Sequence, residues 1–259
     1  MSCVTLETET HTTEEAISVE TFVLITGAWH GGWSWRPVAT RLRAEGHRVL
    51  TPTLPGLDLG DDPRGITLTD CCDAVVDLVE REDLQDVTLL GHSWGGYVVC
   101  GSAPRVAPRV KRTVFWSAFV PQDGESLMDA VPPHYADLFN AQAAASGDDD
   151  TVSLPFEVWA GAFMQDASED AQRAVYGLLA PQPMGTFREA PNQKPFFDLD
   201  VPSTYVLSTE DVALPPGEYG WDRFPTRLAG APVIETPGSH EANFTRPAEL
   251  ADAFLRVVA

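Results

Sequence analysis

The sequence predicts an α/β protein: a mostly parallel central sheet flanked by helices, with a helical cap inserted between two of its strands. Three observations carry this. Short β-branched and aromatic runs alternate with helix-period segments over the first part of the chain and again near its end. Between Gln122 and about Lys194 the alternation fails, in a stretch of proline clusters and an Ala/Gly/Asp loop. The length of 259 residues, with 44% hydrophobic and 21% charged side chains, suits one globular unit carrying an insertion.

In order, residues 1–20 are rich in Thr and Glu without an apolar period, and read as a disordered acidic tail. Residues 21–259 then form the single domain. Thr21 to Thr26 is a strand, followed by the glycine-rich stretch Gly27 to Gly32. A helix is expected from Trp35 to Glu45, with Ser34 as N-cap and Gly46 past its end. Val49 to Thr53 is the next strand. Apolar residues at 72, 75, 76 and 79 place a one-sided helix over Thr69 to Glu82. Val87 to Leu90 is a strand, Trp94 to Ala103 a helix stopped by Pro104, and Arg112 to Ser117 a strand. The cap, at about 122–195, holds two helix-like pieces, around Tyr135 to Ala145 and Phe156 to Leu179. Strands at Thr204 to Ser208 and Pro232 to Thr236 and a helix from Pro247 to Val258 complete the domain.

With 17 Lys and Arg against 38 Asp and Glu, the formal charge is −21. Such a surface repels phosphate backbones and anionic lipid heads, so neither nucleic acid nor membrane is an expected partner. No run of 18 apolar residues occurs and no basic, apolar leader opens the chain, which predicts a cytoplasmic protein. A homodimer is the one assembly left open. Four cysteines are too few for a disulfide framework, and Cys71, Cys72 and Cys100 fall in apolar surroundings, whereas Cys3 lies in the tail. No Cys/His ligand spacing and no G-x-G-x-x-G occur, and Asp148-Asp149-Asp150 reads as a solvated loop. No cofactor and no metal are expected.

The chemistry centres on Gly91-His92-Ser93-Trp94-Gly95, a G-x-S-x-G between the strand Val87 to Leu90 and a helix. A serine exposed on a tight strand-to-helix turn needs small neighbours, and the helix N-terminus favours negative charge beside it. A hydroxyl also needs a base. His240, in Pro237-Gly238-Ser239-His240, follows the last strand and so reaches the same carboxyl edge of the sheet as Ser93. Asp211, after the strand Thr204 to Ser208, is the expected acid, with Glu210 as runner-up. The amides of Trp94 and Ala28 are the expected oxyanion donors, and Gly27 and Trp29 the expected substrate contacts. Trp33 and Trp35 read as packing against the sheet, and His30 as a structural hydrogen-bonding residue.

At these residues the chain resembles the α/β-hydrolase superfamily, in particular the plant methylesterase and hydroxynitrile lyase family and related bacterial esterases. The matching pieces are Leu24 to Trp33, Gly91 to Gly96, Pro181-Gln182-Pro183, Asp211 and His240, in family order. The resemblance implies an α/β-hydrolase fold, a Ser-His-Asp triad, a pair of oxyanion donors and a cap shaping an apolar pocket. Two positions depart from it. Thr26 stands where the family often has His, and Glu241 stands where the lyase branch has Lys after the catalytic histidine.

These readings converge on a serine esterase acting on a small or medium apolar ester through an acyl-enzyme. A lyase, cyclase or C–C-cleaving enzyme using the same pocket is the first alternative, and a small-molecule binding protein on the same fold the second. On this reading Glu241 is a carboxylate near the leaving group, and Glu241→Lys is compatible with ester turnover.

Overall fold

A computed structural model describes residues 19–214 and 216–259. Its first half runs β1 (Thr21–Ile25), α1 (Arg36–Ala44), β2 (Arg48–Leu50), α2 (Leu68–Arg81), β3 (Val87–His92), α3 (Gly95–Ser102) and β4 (Val110–Trp116). The cap follows as α4 (Leu127–Ala130), α5 (Pro133–Ala145), β5 (Thr151–Val152), α6 (Phe156–Val158), α7 (Glu169–Tyr176), β6 (Gln182–Pro183), α8 (Gly185–Arg188) and α9 (Lys194–Phe197). The chain returns to the sheet with β7 (Ser203–Ser208), β8 (Val233–Thr236), α10 (Ala242–Thr245) and α11 (Pro247–Val258).

The main sheet has the order β2-β1-β3-β4-β7-β8, and each neighbouring pair is parallel. Parallel strands need both faces covered, which is why β1 and β3 are nearly continuous apolar runs. On one face α1 and α11 pack together over Phe22, Leu24, Leu90, Val114 and Trp116. On the other, α2 and α3 cover Val23, Ile25, Leu89 and Phe115. Because Ile25 lies beside Gly91 in register, the loops leaving β1 and β3 emerge at one level. The carboxyl ends of β7 and β8 open on the same edge.

Several boundaries differ from expectation, each for a local reason. α1 begins at Arg36 after a 3-10 turn, Gly32–Trp35, and Ser34 lies inside that turn and caps nothing. β2 stops at Leu50, because the chain next passes close under Gly32, where any Cβ would overlap the Thr51 carbonyl. α2 starts at Leu68 because Thr67 and Asp70 form a reciprocal capping box. Pro104 does not stop the chain's helical course outright, since a 3-10 stretch, Ala103–Arg109, carries it to β4. Of the expected tail, residues 1–18 and with them Cys3 lie outside the described residues. Glu20 is already part of the domain: its amide donates to His47 Nδ1 at 3.2 Å and its buried carboxylate meets Lys111 Nζ at 2.6 Å.

The single helix expected over Phe156 to Leu179 is broken. After α6 comes a π-helical turn, Trp159–Phe163, and Ser168 then caps α7 afresh. The turn buries Trp159 and Phe163 stacked against each other, which a regular continuation toward the exposed α7 does not require. Among the described residues no helix is long and apolar enough to cross a membrane. Cys71, Cys72 and Cys100 are buried free thiols, and burial pushes each of them up, as befits packing groups.

The seating of α3 depends on Gly96, where a Cβ would overlap the Phe119 carbonyl oxygen beyond β4. Gly96→Ala is expected to cost at least about 4 kcal/mol in denaturant unfolding or to prevent soluble expression. Gly161→Ala, whose Cβ meets nothing within 4 Å, is expected to stay within about 1 kcal/mol of the parent.

Candidate active site

Ser93 sits directly after β3 with φ +52°, a left-handed conformation uncommon for a residue with a side chain. Three backbone bonds hold it there. Its amide donates to the Trp116 carbonyl at 3.3 Å, and its carbonyl accepts from Gly96 and Phe119, both at 3.1 Å. Glycine is required on both sides, since a Cβ at Gly91 would stand 2.7 Å from the Gly95 carbonyl and one at Gly95 2.5 Å from the Thr26 carbonyl. The serine side chain is thereby lifted to the carboxyl edge of the sheet.

His240 follows β8 and Asp211 follows β7, and their side chains meet with Nδ1 to Oδ2 at 2.7 Å, both buried. The other carboxylate oxygen of Asp211 accepts from the Ala213 amide at 2.9 Å, so the carboxylate is fixed at both ends. Glu210 is exposed and has no such contact. The imidazole is enclosed by Trp221, stacked at 5.2 Å, by the edge of Phe163 at 5.2 Å, and by His92 at 4.5 Å. Burial opposes its charged form, but the Asp211 charge and hydrogen bond outweigh that penalty and raise it above the ordinary histidine value. His92, packed flat on Trp116 at 4.0 Å, is instead driven well down by burial and stays neutral.

His240 and Ser93 line one cavity of about 370 Å³, counted with its opening to solvent. In this conformation no hydrogen bond joins Ser93 Oγ to the imidazole, a contact that often tightens only around a substrate. Around them stand Trp29, Tyr135, Phe139, Phe187, Leu214 and Trp221, and among the described residues no Lys, Arg, Asp or Glu lines the cavity. Burial pushes the Tyr135 phenol up to about 12, which leaves it a neutral hydroxyl in an aromatic chamber. Tyr135 and Phe139 are four apart on α5, so the cap's contribution to the lining was visible as an aromatic i, i+4 pair, although its orientation was not.

The loop after β1 lies opposite. Ala28 and Trp94 both line the cavity, and neither amide makes a hydrogen bond among the described residues. Trp29 forms a wall of the cavity with φ +67°. Its amide donates to Gln182 Oε1 at 2.9 Å and its indole N–H to the Val152 carbonyl at 2.9 Å, so the β5–β6 pair of the cap holds this loop in place. Sequence reasoning quoted Pro181-Gln182-Pro183 without a role. Gln182, fully buried, is the residue it missed.

Three positions differ in detail from expectation. Gly27 lines a narrower space against Ser93 and His240 rather than the main cavity, and a Cβ there would meet His92 Nδ1 at 3.0 Å and Ser93 Cβ at 3.1 Å, so the position also gives clearance to the turn. Trp35 packs against Trp116 as expected, whereas Trp33 is 36% exposed and lies against His30 and Phe244 at the surface. Glu241 lies near Ser93 and His240 as expected, but it is 1% exposed and faces His30, so Glu241→Lys would bury an ammonium without a carboxylate partner and is no longer expected to be benign. The His30 ring bonds backbone, with Nδ1 2.7 Å from the Ala28 carbonyl. No cluster of three or more metal-ligating side chains occurs among the described residues.

The family model described as the alpha/beta hydrolase family matches residues 22–253. A carbendazim hydrolyzing esterase from Nocardioides sp. (strain SG-4G) is 34% identical over 245 residues, covering 89% of this chain and 96% of that protein. Methylesterase 1 of Arabidopsis thaliana is 29% identical over 270 residues, covering 91% and 95%. Among solved structures, an extracellular alpha/beta-hydrolase from a Paenibacillus species, described as sharing structural and functional homology with tobacco salicylic acid binding protein 2, superimposes with a TM-score of 0.88. It is 35% identical and covers 92% of this chain and 98% of its own.

Titration of the His240 imidazole by NMR is expected to give a pKa above the ordinary value of about 6.5. In Asp211→Asn the opposing burial is no longer offset by the Asp211 charge and hydrogen bond, leaving only the weaker pull of Glu241, and the pKa is expected below that value.

Proposed function

The chain belongs to the alpha/beta hydrolase family, and from that membership we propose that it is a carboxylic ester hydrolase with Ser93 as nucleophile, His240 as general base and Asp211 as the acid that orients the base. The observation that carries this reading is the buried 2.7 Å contact between His240 Nδ1 and Asp211 Oδ2 at the cavity onto which the strained Ser93 turn opens. Asp211 holds Nδ1 as the protonated nitrogen and leaves the Nε2 lone pair for the serine proton. Ser93 Oγ attacks the ester carbonyl carbon as His240 takes that proton. The resulting oxyanion accepts hydrogen bonds from the Ala28 and Trp94 amides. Collapse breaks the bond to the alcohol oxygen, which leaves with the proton held by His240. Water then attacks the acyl carbon and gives its proton to His240; collapse breaks the bond to Ser93 Oγ, which takes that proton back from His240 as the carboxylic acid leaves.

The aromatic chamber suits an ester with a small or medium apolar acyl or alcohol part, and its volume falls in the range of small-molecule sites. A lyase that expels an anion such as cyanide needs a cation near the leaving group, and among the described residues neither Lys nor Arg lines the chamber. Hydrolysis therefore fits better. A pure binding protein has no use for a histidine whose basicity is raised by a dedicated carboxylate.

A p-nitrophenyl ester of a short acid is expected to be turned over, with Ser93→Ala lower by at least about 10³-fold, and a fluorophosphonate probe is expected to label Ser93. Labelling elsewhere, or full activity in the alanine variant, would sink the proposal. Because the base acts only when neutral, kcat/KM is expected to rise with pH through the raised His240 value, so its acidic limb should lie above about 6.5. Asp211→Asn is expected to lose far more turnover than Glu210→Gln; the opposite ranking would reassign the acid.

A further inference from the structure

The loops that carry Asp211 and His240 are joined by backbone, since the Glu210 amide beyond β7 donates to the Gly238 carbonyl beyond β8 at 3.2 Å. A third segment reaches both loops. It is the part of the cap that ends the π-helical turn, from Phe163 to Asp166. Gln165 Nε2 donates to the Glu210 carbonyl at 2.6 Å, and the Phe163 carbonyl accepts from the Glu241 amide at 3.2 Å. Asp166 Oδ2 accepts from the Ser239 amide at 3.3 Å and from the Thr245 hydroxyl at 2.7 Å, so one carboxylate oxygen bridges the residues on either side of His240.

The peptide units involved are those attached to the two Cα atoms of the pair. The Glu210 carbonyl belongs to the peptide that enters Asp211, and the amide of that same peptide donates to the Ser208 carbonyl at 3.3 Å. That peptide is thus bonded at both ends, once to its own strand and once to the cap. The Glu241 amide belongs to the peptide that leaves His240, and it is shared between the cap carbonyl of Phe163 and Ser239 Oγ, at 3.2 Å each. A 2.7 Å bond between side chains on two loops lasts only while the loops keep their separation. The Glu210–Gly238 bond alone would act as a pivot. A second point of attachment is needed to stop one loop turning about it, and the cap supplies that point to each.

We infer that Gln165 is a positioning residue for the Asp211–His240 pair: its side-chain amide, together with the Phe163 carbonyl, brackets the two loops at the separation that lets the carboxylate meet the imidazole. Phe163 adds its ring edge to the same imidazole at 5.2 Å, so the bracket holds His240 by backbone and by side chain. Glu210 serves the site through its backbone and not through its carboxylate. The kinetic consequence of the bracket rests on the hydrolase reading, whereas its geometric consequence needs no turnover.

The test is Gln165→Met in the full chain, which keeps the length of the side chain, removes its donor and changes no charge. The titratable groups about His240 and its neighbour Glu241 are Asp211, Asp166, His30 and His92, and all stay as they are, so a change in the His240 titration reports geometry. Tyr176→Phe is the control, because the Tyr176 hydroxyl donates to the Leu154 carbonyl at 2.7 Å, a bond within the cap that involves neither loop. In Gln165→Met the His240 pKa measured by NMR is expected to fall by at least about half a unit, since a receding carboxylate offsets burial less. With rates expressed per fluorophosphonate-titrated site, kcat is expected to fall at least about fivefold with KM within about twofold. The acidic limb of kcat/KM is expected to move to lower pH with the pKa, and Tyr176→Phe to match the parent throughout. A parent-like His240 pKa in Gln165→Met, an equal fall in Tyr176→Phe, or a loss confined to KM would overturn the inference while Ser93 labelling leaves the hydrolase reading intact. A wild type whose Ser93 is never labelled would remove the hydrolase reading, and the pKa comparison would still decide the inference.

Discussion

Ser93 is a side-chain-bearing residue held at φ +52°, in a region that costs an L-residue of the order of 1 kcal/mol or more. The neighbouring structure is arranged around that cost. Gly91 and Gly95 give the turn room, Gly96 lets α3 settle onto the loop after β4, and the Trp116 and Phe119 backbone bonds span the serine from the next strand. A relaxed Ser93 would break the register at which β1, β3 and β4 deliver their loops. The strain thus fixes more than one side chain, since the positions of Ala28, Trp94 and His240 are all measured from this turn.

Trp29 stores a second strain of the same kind, and the two are neighbours across the cavity. Where the serine turn is clamped by sheet backbone, the Trp29 turn is clamped by side chains, Gln182 from the cap and His30 from its own loop. That difference has a physical consequence. Sheet clamps are as stable as the core, but a side-chain clamp depends on protonation and on the cap staying seated. The loop after β1 is therefore the part of the site most exposed to changes elsewhere, and the Val152 and Gln182 contacts make the cap a component of it rather than a lid laid over it.

The sheet, the Ser93 turn and the placing of Asp211 and His240 past their strands were legible in the sequence because their signals are local. Parallel strands buried on both faces read as apolar runs, Gly91 to Gly95 announces its own turn, and Asp211 and His240 each stand just past a strand. α11 fell where expected because proline opens it and its apolar face is regular. What escaped depended on partners far along the chain. The π turn at Trp159–Phe163 exists to bring Phe163 against His240, and no periodicity within 156–179 encodes that destination. Gln182 is polar and flanked by prolines, which reads as a loop, yet it is fully buried because Trp29 and Thr186 absorb its hydrogen bonds. Glu241 could be placed near His240 from its position in the chain, but only the fold reveals its burial and His30 beside it.

A charge of −21 spread over the chain makes the composition of the cavity more telling, because none of that charge lines it. With Trp29, Phe139, Phe163, Phe187 and Trp221 excluding water, each remaining dipole acts at lower local dielectric and counts for more. The carboxylates nearest the reacting centre are taken up instead: Asp211 by His240 and the Ala213 amide, Asp166 by the Ser239 amide and the Thr245 hydroxyl, and Glu241 by its place opposite His30. An unscreened anion in the chamber would repel the oxyanion that the proposed reaction develops there. The strongly acidic chain thus leaves the wall of this cavity uncharged among the described residues, its neighbouring carboxylates being turned toward His240, the Ala213 amide, the Ser239 amide and His30.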